Sequence, residues 1–367
     1  MMNFPIKFQL DKLIHEFAEV ESKAAKGLAQ LKTLKDVDVD IGSTEKDVIY
    51  ERGTFKLYHY KPLVKKEKIH QVPMLIFTSL VNGYEVLDLQ PDRSFVRNFL
   101  NEGIDVYLID WGYPKLSDKY KTLDDYVTDY ADDCVDRVLE HSNSDQLNLL
   151  GICLGGSLAT CYTSLFPEKV RNLALTVTPI NYHASEVEGQ PHVGMLFRMG
   201  RSLNIDNMVD AFGNMPMDML NVSFSMASPL SVLFGKYIDA VDILDDKDAF
   251  LNFLRMEKWL YKGPDIPGEA YRQFAKEFIQ GNKLYKGEME LGGRKIDLKN
   301  VTMPVLNVYA TRDHLVPPPG TTVLGELIGN KQDYKEMSVN TGHIGIYTGG
   351  APQKIVAPGI AQWLREH

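Results

Sequence analysis

Residues 147–156 read Leu-Asn-Leu-Leu-Gly-Ile-Cys-Leu-Gly-Gly, an apolar strand pattern that runs into a Gly-x-Cys-x-Gly-Gly turn. Glycines two positions before and after Cys153 allow the sharp strand-to-helix turn, or nucleophile elbow, that exposes a nucleophile. Such a turn places the thiol at a helix N-terminus, where free amides and the helix dipole favour a thiolate. A cysteine among glycines is also often only a small buried residue, so the flanking sequence has to decide between the two interpretations.

The flanking sequence favours the nucleophile elbow. Residues 157–162 predict a helix, and residues 173–177 form a second apolar run behind Pro167. Strand, elbow, helix and strand in this order are typical of an α/β-hydrolase sheet. We therefore predict the α/β-hydrolase fold, with a mostly parallel central sheet flanked by helices.

A cysteine nucleophile needs a base and an acid, and in this fold the acid and then the histidine follow the nucleophile along the chain. The apolar strand 305–310 ends just before Asp313, where the catalytic acid of this architecture emerges. Further on, His343 lies in a glycine-flanked loop before the last helix. The sequence thus predicts the catalytic set Cys153, Asp313 and His343.

Two other residues compete for these roles. His314 directly follows Asp313, so it is the rival histidine, although it also suits a packed or hydrogen-bonded supporting place. Asp110 ends another apolar strand, residues 105–109, and resembles a catalytic acid. It precedes Cys153 in the chain, which is the wrong order, so we expect it to be structural.

The oxyanion of a tetrahedral intermediate needs backbone donors. This fold takes one amide from the residue after the nucleophile and a second from the loop after an early strand. Here the buried strand 72–77 leads into the loop 79–83. We therefore expect the backbone amides of Val81 and Leu154 to hold the oxyanion.

The composition agrees with one large core. The chain has 367 residues, 44 % apolar and 24 % charged, which predicts one elaborated domain. Its net charge of −9 argues against a nucleic-acid partner. Its three cysteines show no CxxC pair or metal-ligand spacing, so we expect no metal and a reducing cytoplasm. No cofactor is expected either. Cys134 and Cys161 are expected to be inert helix residues.

No targeting or membrane segment is expected. Charged side chains interrupt residues 1–20, which therefore lack the pattern of a signal peptide. The uncharged stretch 146–167 is rich in glycine, serine and threonine, which suits an elbow and a buried helix better than a transmembrane segment.

Changes in composition and in the pattern of strands and helices along the chain predict four segments. Residues 1–40 form an N-terminal helical segment, with an amphipathic helix over about 10–34, and residues 41–180 form the first part of the core. Residues 181–293 lose the alternation of strands and helices and predict an inserted cap, and residues 294–367 complete the core. Seven methionines between positions 195 and 226 give the cap an adaptable apolar surface. They suit an ordinary helical core and a lid that admits an acyl chain equally well.

Several further stretches carry a resemblance to a known family besides the cysteine box, and they are Asp105–Gly112, Thr122–Tyr126, Phe253–Trp259, Gly268–Phe274, Asp313–Pro317 and Gly342–Gly345. Through them the chain, from about residue 41 onward, resembles the polyhydroxyalkanoate synthases, specifically the short catalytic subunits of the two-component type. Class III is the first choice and class IV the second. Members often carry glutamine after the cysteine where this chain has Leu154, so only the backbone amide of that position can share the family's role.

This resemblance implies an acyltransferase that polymerises (R)-3-hydroxyacyl-CoA, by default 3-hydroxybutyryl-CoA, and releases CoA. Cysteine suits the reaction because the acyl group moves between two thioesters with little change in free energy and stays activated for transfer to an alcohol. The resemblance also implies three partners besides the substrate: a small accessory subunit, a second catalytic chain in a homodimer, and the growing polyester granule in the cytoplasm.

Two alternatives remain. A cysteine hydrolase of the dienelactone-hydrolase type carries a similar Gly-x-Cys-Leu-Gly-Gly box, but its chain is much shorter between nucleophile and acid than the span from residue 153 to residue 313 here. A non-catalytic scaffold on a hydrolase fold would not need all three residue types of the catalytic set. Polymer formation, soluble acid only, or no turnover at all distinguishes the three.

Overall fold

The computed structural model describes residues 22–23, 25–26, 29, 32–184, 193–227, 240 and 242–367. These residues form two compact units. The smaller unit comprises the described residues up to 40 and those from 240 to 258, and the larger comprises residues 41–227 and 259–367. The predicted helix over residues 10–34 lies mostly outside the described residues, as do residues 185–192 and 228–239 of the predicted cap. The predicted four-segment division stays a prediction.

A mixed sheet of eight strands forms the centre of the larger unit. The strands of this unit are β1 (Lys46–Arg52), β2 (Phe55–Tyr60), β3 (Met74–Phe77), β4 (Asp88–Gln90), β5 (Arg93–Ser94), β6 (Val106–Asp110), β7 (Leu147–Ile152), β8 (Val170–Thr176), β9 (Glu290–Leu291), β10 (Arg294–Lys295), β11 (Val305–Ala310) and β12 (Tyr334–Val339). The large sheet has the order β1-β2-β6-β3-β7-β8-β11-β12, while β4 pairs with β5 and β9 with β10. β1 and β2 run antiparallel to their neighbours, and the other five pairs are parallel.

The parallel strands are covered on both faces, which explains their sequence. Every residue of β3 and of β7 is buried, so these strands read as continuous apolar runs rather than as alternating ones. The register pairs Ile152 with Thr176 and Thr176 with Val308. The carboxyl ends of β7, β8 and β11 therefore meet at one edge of the sheet, and the chain continues from there into the candidate site.

Helices connect these strands. They are α1 (Phe95–Asn101), α2 (Ala131–Ser142), α3 (Leu154–Leu165), α4 (Met195–Arg201), α5 (Ile205–Phe212), α6 (Met217–Ala227), α7 (Lys247–Tyr261), α8 (Gly268–Gln273), α9 (Lys283–Lys286), α10 (Pro318–Thr322), α11 (Leu324–Leu327), α12 (Gly345–Thr348) and α13 (Val356–Glu366). π-Helical segments, Asp125–Tyr130 and Phe274–Gln280, precede α2 and follow α8. All twelve residues of α3, the helix behind the elbow, are buried. The mostly parallel sheet with its helices confirms the predicted architecture.

Polar contacts hold each unit together. In the larger unit Arg272 of α8 forms ion pairs with Asp206 and Asp210 of α5. In the smaller unit Arg255 donates to the carbonyl of Asp38 at 2.7 Å. None of the helices in the described part of the chain has both the length and the apolarity needed to cross a bilayer.

Candidate active site

Cys153 occupies a strained turn between β7 and α3. Its φ is 50° and its ψ is −120°, a conformation that residues other than glycine rarely adopt outside functional sites. Its N–H donates to the carbonyl of Thr176 at 3.0 Å, and its carbonyl accepts the N–H of Gly156 at 2.9 Å. The cysteine is partly exposed, whereas Cys134 and Cys161 are buried. Strand end, strained residue and helix start together give the geometry of a nucleophile elbow.

The glycines around this turn are required by close contacts. A Cβ on Gly155 would lie 2.2 Å from the carbonyl oxygen of Thr78, and one on Gly151 would lie 2.4 Å from Cα of Gly156. Gly156 is under the same constraint, because a Cβ there would lie 1.9 Å from Oγ1 of Thr178. The sequence predicted a role for Gly151 and Gly155 but not for Gly156, whose contact comes from the loop after β8.

Asp313 and His343 form a buried pair. Asp313 follows β11 and His343 follows β12, so both lie at the same sheet edge as Cys153. Nδ1 of His343 lies 2.6 Å from Oδ2 of Asp313, and the side chains are 6 % and 0 % exposed. The other carboxylate oxygen accepts the backbone N–H groups of Leu315 and Val316, both at 2.9 Å. Three hydrogen bonds therefore fix the carboxylate, and the carboxylate fixes the ring.

The charges around His343 favour its protonated form. Burial alone favours the neutral ring, but the charge of Asp313, the charge available on Cys153 and the hydrogen bond to Asp313 outweigh it. The pKa of His343 is raised well above its ordinary range as a result. The carboxylate thus makes the ring a stronger acceptor for a proton, which is what a general base for the thiol requires.

The structure gives contacts for both rival residues. The backbone carbonyl of His314 accepts the N–H of Gly194 at 2.7 Å, while the carboxylate of its chain neighbour Asp313 bonds to the ring of His343. Asp110, at the end of β6, accepts the hydroxyl of Tyr58 at 3.1 Å and a backbone N–H of its own loop at 2.9 Å. Burial raises the pKa of Asp110. These contacts give it a structural setting.

The two candidate oxyanion amides differ in their surroundings. Leu154 is the first residue of α3, and the N–H of a first helical residue has no partner within its helix. The N–H of Val81 donates to Oγ of Ser79 at 3.1 Å, a short-range serine turn. An oxyanion bound by both amides therefore has to replace the Ser79 hydroxyl as the acceptor for Val81. The sequence argument did not identify Ser79.

Two buried tyrosines, Tyr182 and Tyr347, bond to residues around the elbow and had no signal in the sequence. The hydroxyl of Tyr182 lies 3.0 Å from Oγ of Ser157, which donates to the carbonyl of Pro179 at 2.6 Å. The hydroxyl of Tyr347 bonds to the end of β8. Burial raises the pKa of both phenols, and the charge available on Cys153 raises it further. Only the fold brings these residues together, so no local sequence motif predicts their contacts.

A partly exposed thiol, an imidazole and a carboxylate at one sheet edge suit acyl transfer through a covalent intermediate. Among the described residues, no group of three or more histidine, cysteine, aspartate or glutamate side chains is placed to hold a metal ion.

Comparisons with known proteins identify relatives of the whole chain. One family model, for the alpha/beta hydrolase fold, matches residues 72–350, and a second, for the N-terminus of poly-beta-hydroxybutyrate polymerase (PhaC), matches residues 8–99. The chain is 43 % identical to the poly(3-hydroxyalkanoate) polymerase subunit PhaC of Synechocystis sp., covering 100 % of this chain and 96 % of that protein. It is 42 % identical to the protein of the same name from Allochromatium vinosum, with 99 % of each covered.

A solved structure supports the fold alone. The epoxide hydrolase of Bacillus megaterium, crystallised with an inhibitor, superposes with a TM-score of 0.52 at 13 % identity, covering 88 % of this chain and 100 % of that one. Together with the family model, this similarity confirms the predicted α/β-hydrolase fold.

Proposed function

The chain belongs to the poly(3-hydroxyalkanoate) polymerase (PhaC) family, and from this premise we propose that it polymerises (R)-3-hydroxyacyl-CoA, by default 3-hydroxybutyryl-CoA, into polyester with release of CoA. One observation supports the mechanism most directly. It is the buried Asp313–His343 pair, which lies at the same sheet edge as the partly exposed thiol of Cys153 at the elbow. The proposed catalytic set is therefore Cys153, Asp313 and His343.

The first half of the reaction loads the enzyme. His343 accepts the thiol proton, and the sulfur of Cys153 attacks the thioester carbonyl of the substrate. The backbone amides of Val81 and Leu154 hold the oxyanion of the tetrahedral intermediate. When this intermediate collapses, the bond to the CoA sulfur breaks, and His343 returns its proton to the leaving thiolate. The acyl group is then a thioester of Cys153.

The second half extends the polyester. The 3-hydroxyl of the next acyl unit gives its proton to His343 while its oxygen attacks the acyl thioester. A new oxygen ester forms, and Cys153 leaves as a thiolate that recovers its proton from His343. Asp313 holds the imidazole in the required tautomer during both halves. No cofactor takes part, and CoA enters only as the substrate's leaving group.

The relatives are named as subunits of a polymerase, which supports a multicomponent assembly. We propose that the chain acts with a small accessory subunit of the class III type, with class IV as the second choice. It would pair with a second copy of itself and remain on the surface of the growing polyester granule in the cytoplasm.

The test of the proposal is turnover of 3-hydroxybutyryl-CoA by the purified chain, alone and with the product of its neighbouring gene. Release of CoA and formation of insoluble polymer are measured together. We expect polymer, with a lag and low CoA release that the partner relieves. CoA release with only soluble acid would indicate a hydrolase instead, and no turnover under either condition would indicate a scaffold.

The nucleophile is tested with matched cysteine variants. Cys153→Ala should abolish polymerisation and acyl labelling. Cys134→Ala and Cys161→Ala should keep activity, because both thiols are buried in helices and burial raises their pKa, that of Cys134 to about 12. Turnover of Cys153→Ala at the wild-type rate would overturn the mechanism.

A further inference from the structure

Tyr347 connects the segment after His343 to the end of β8. It lies in the short helix α12, four positions after His343, and is fully buried. Its hydroxyl lies 2.8 Å from Oγ1 of Thr176 and 3.4 Å from the carbonyl oxygen of the same residue. Its ring packs edge-on against Phe95, with centroids 5.5 Å apart. The phenol therefore has both a packing contact and a polar contact.

Thr176 in turn holds the elbow at two points. Its carbonyl accepts the N–H of Cys153 at 3.0 Å, and its hydroxyl donates to the carbonyl of Gly151 at 3.3 Å. A threonine hydroxyl has one proton, so donation to Gly151 leaves its oxygen free to accept from Tyr347. The hydrogen bonds therefore run in one direction, from Tyr347 to Thr176 and on to the strand that carries the nucleophile.

The backbone at this junction is strained. Cys153 and Val177 both have positive φ, 50° and 43°, and such a conformation is exceptional for a β-branched residue such as valine. Strained residues persist only where the surrounding contacts hold them in place. The bonds of Thr176, which lies next to Val177 and bonds to Cys153, are contacts of this kind.

We propose that Tyr347 is a positioning residue whose hydroxyl sets the separation between the imidazole of His343 and the thiol of Cys153. The pair with Asp313 fixes one ring nitrogen of His343 and so sets the direction of the ring. The distance from the ring to the elbow depends on how the segment 343–348 is tied to β8, and the bond from Tyr347 to Thr176 is that tie. This inference rests on the proposed catalytic roles of Cys153 and His343.

Tyr347→Phe is the direct test, because it keeps the ring against Phe95 and removes only the hydroxyl. The readout is the pH dependence of Cys153 alkylation by iodoacetamide, followed by peptide mass spectrometry. We expect the rate at pH 7 to fall several-fold, by less than the roughly 10- to 100-fold that complete loss of the base would cost a thiol that is still a few per cent ionised. We also expect the midpoint of the profile to move to higher pH, because a displaced ring accepts the thiol proton less well. The plateau at high pH should be unchanged.

Tyr107→Phe is the matched control. Tyr107 is equally buried, and its hydroxyl lies 2.8 Å from Nδ1 of His141 on α2. Both tyrosine variants should lower the melting temperature to a similar extent. Only Tyr347→Phe should move the alkylation profile, so a purely structural effect is separated from a positioning effect.

Thr176→Val provides a second, independent variant. It keeps a β-branched residue in the strand and the carbonyl that accepts the N–H of Cys153, but removes the hydroxyl. We expect it to shift the profile as Tyr347→Phe does, and the double variant to add little, since both changes break the same connection. A wild-type profile for Tyr347→Phe, or fully additive effects of the two changes, would overturn the role of Tyr347. The catalytic assignment itself fails only if Cys153→Ala still polymerises, which is a separate measurement.

Discussion

Replacing Asp313 by asparagine should slow chain growth more than it slows the acylation of Cys153. The two carboxylate oxygens have different partners: one accepts the N–H groups of Leu315 and Val316, and the other bonds to Nδ1 of His343. In Asp313→Asn only one oxygen remains. It has to face the two backbone donors, because an NH₂ group there would meet donors alone. The NH₂ group therefore points at the imidazole.

This reversal changes the tautomer of His343. When an NH₂ group donates to Nδ1, the neutral ring carries its proton on Nε2, which is the wrong nitrogen for a base acting on the thiol. In enzymes with a triad, such a change lowers kcat by about 10⁴, which corresponds to about 5 kcal/mol of activation free energy. Chain growth should lose this full amount, because an alcohol cannot react without a base. Acylation should lose only about 10- to 100-fold, because a free cysteine is a few per cent thiolate at pH 7 without help.

Rapid mixing of Asp313→Asn with 3-hydroxybutyryl-CoA measures the two halves separately. We expect a burst of up to one CoA per chain, an acyl adduct on the peptide of Cys153, and then almost no further release. Asp110→Asn is the matched control, since that partly buried carboxylate bonds to Tyr58 and to its own loop, and it should release CoA steadily. An equal loss in burst rate and in steady-state rate for Asp313→Asn would refute the tautomer argument.

Two further predictions concern the elbow and the base. Gly155→Ala should destabilise the protein by about 1–3 kcal/mol or more in urea unfolding, because its Cβ meets the backbone oxygen of Thr78 at 2.2 Å. Gly350→Ala, with nothing within 4 Å of its Cβ, should change stability by less than about 0.5 kcal/mol, and equal losses would contradict the steric argument. The raised pKa of His343 should stabilise the fold fully below about pH 6.5, its unfolded pKa, and this contribution should disappear as the pH rises through the folded pKa. The stability difference between wild type and His343→Gln should therefore shrink from pH 6 to pH 9, and a constant difference would mean that the proton is not bound more tightly in the folded state.

The strands could be predicted from the sequence because a strand that is buried on both faces reads as a continuous run of apolar residues. The predicted strand 305–310 has the same ends in the structure, and the strand predicted over residues 105–109 is shifted by one position. The strand predicted from residue 72 starts two residues later, at Met74. Pro73 explains this difference, since it has no N–H to donate to a neighbouring strand.

The parts of the candidate site that could be predicted from the sequence are local or follow chain order. The elbow is a motif of a few residues, and Asp313 and His343 each follow a strand in the order that the fold requires. What the sequence left open depends on contacts between distant residues. Tyr347 and Thr176 lie 171 positions apart, and the bond between them exists only because of how neighbouring strands align. The bond from Val81 to Ser79 is local. It depends on the rotamer of the Ser79 side chain, which a sequence pattern does not predict.

These distant contacts explain how the chain tolerates the strain at its nucleophile. Positive φ at Cys153 and at Val177 costs on the order of 1–3 kcal/mol for each residue. Each residue directly follows one of the paired strands β7 and β8, whose last residues, Ile152 and Thr176, are buried partners, so the backbone cannot relax at this point without breaking the end of their ladder. The strain lifts the thiol out of the sheet edge. An unstrained turn would leave Cys153 in the setting of Cys134 and Cys161, where burial raises the thiol pKa and suppresses the nucleophile. The most buried part of the sheet is thus what keeps the reactive sulfur accessible.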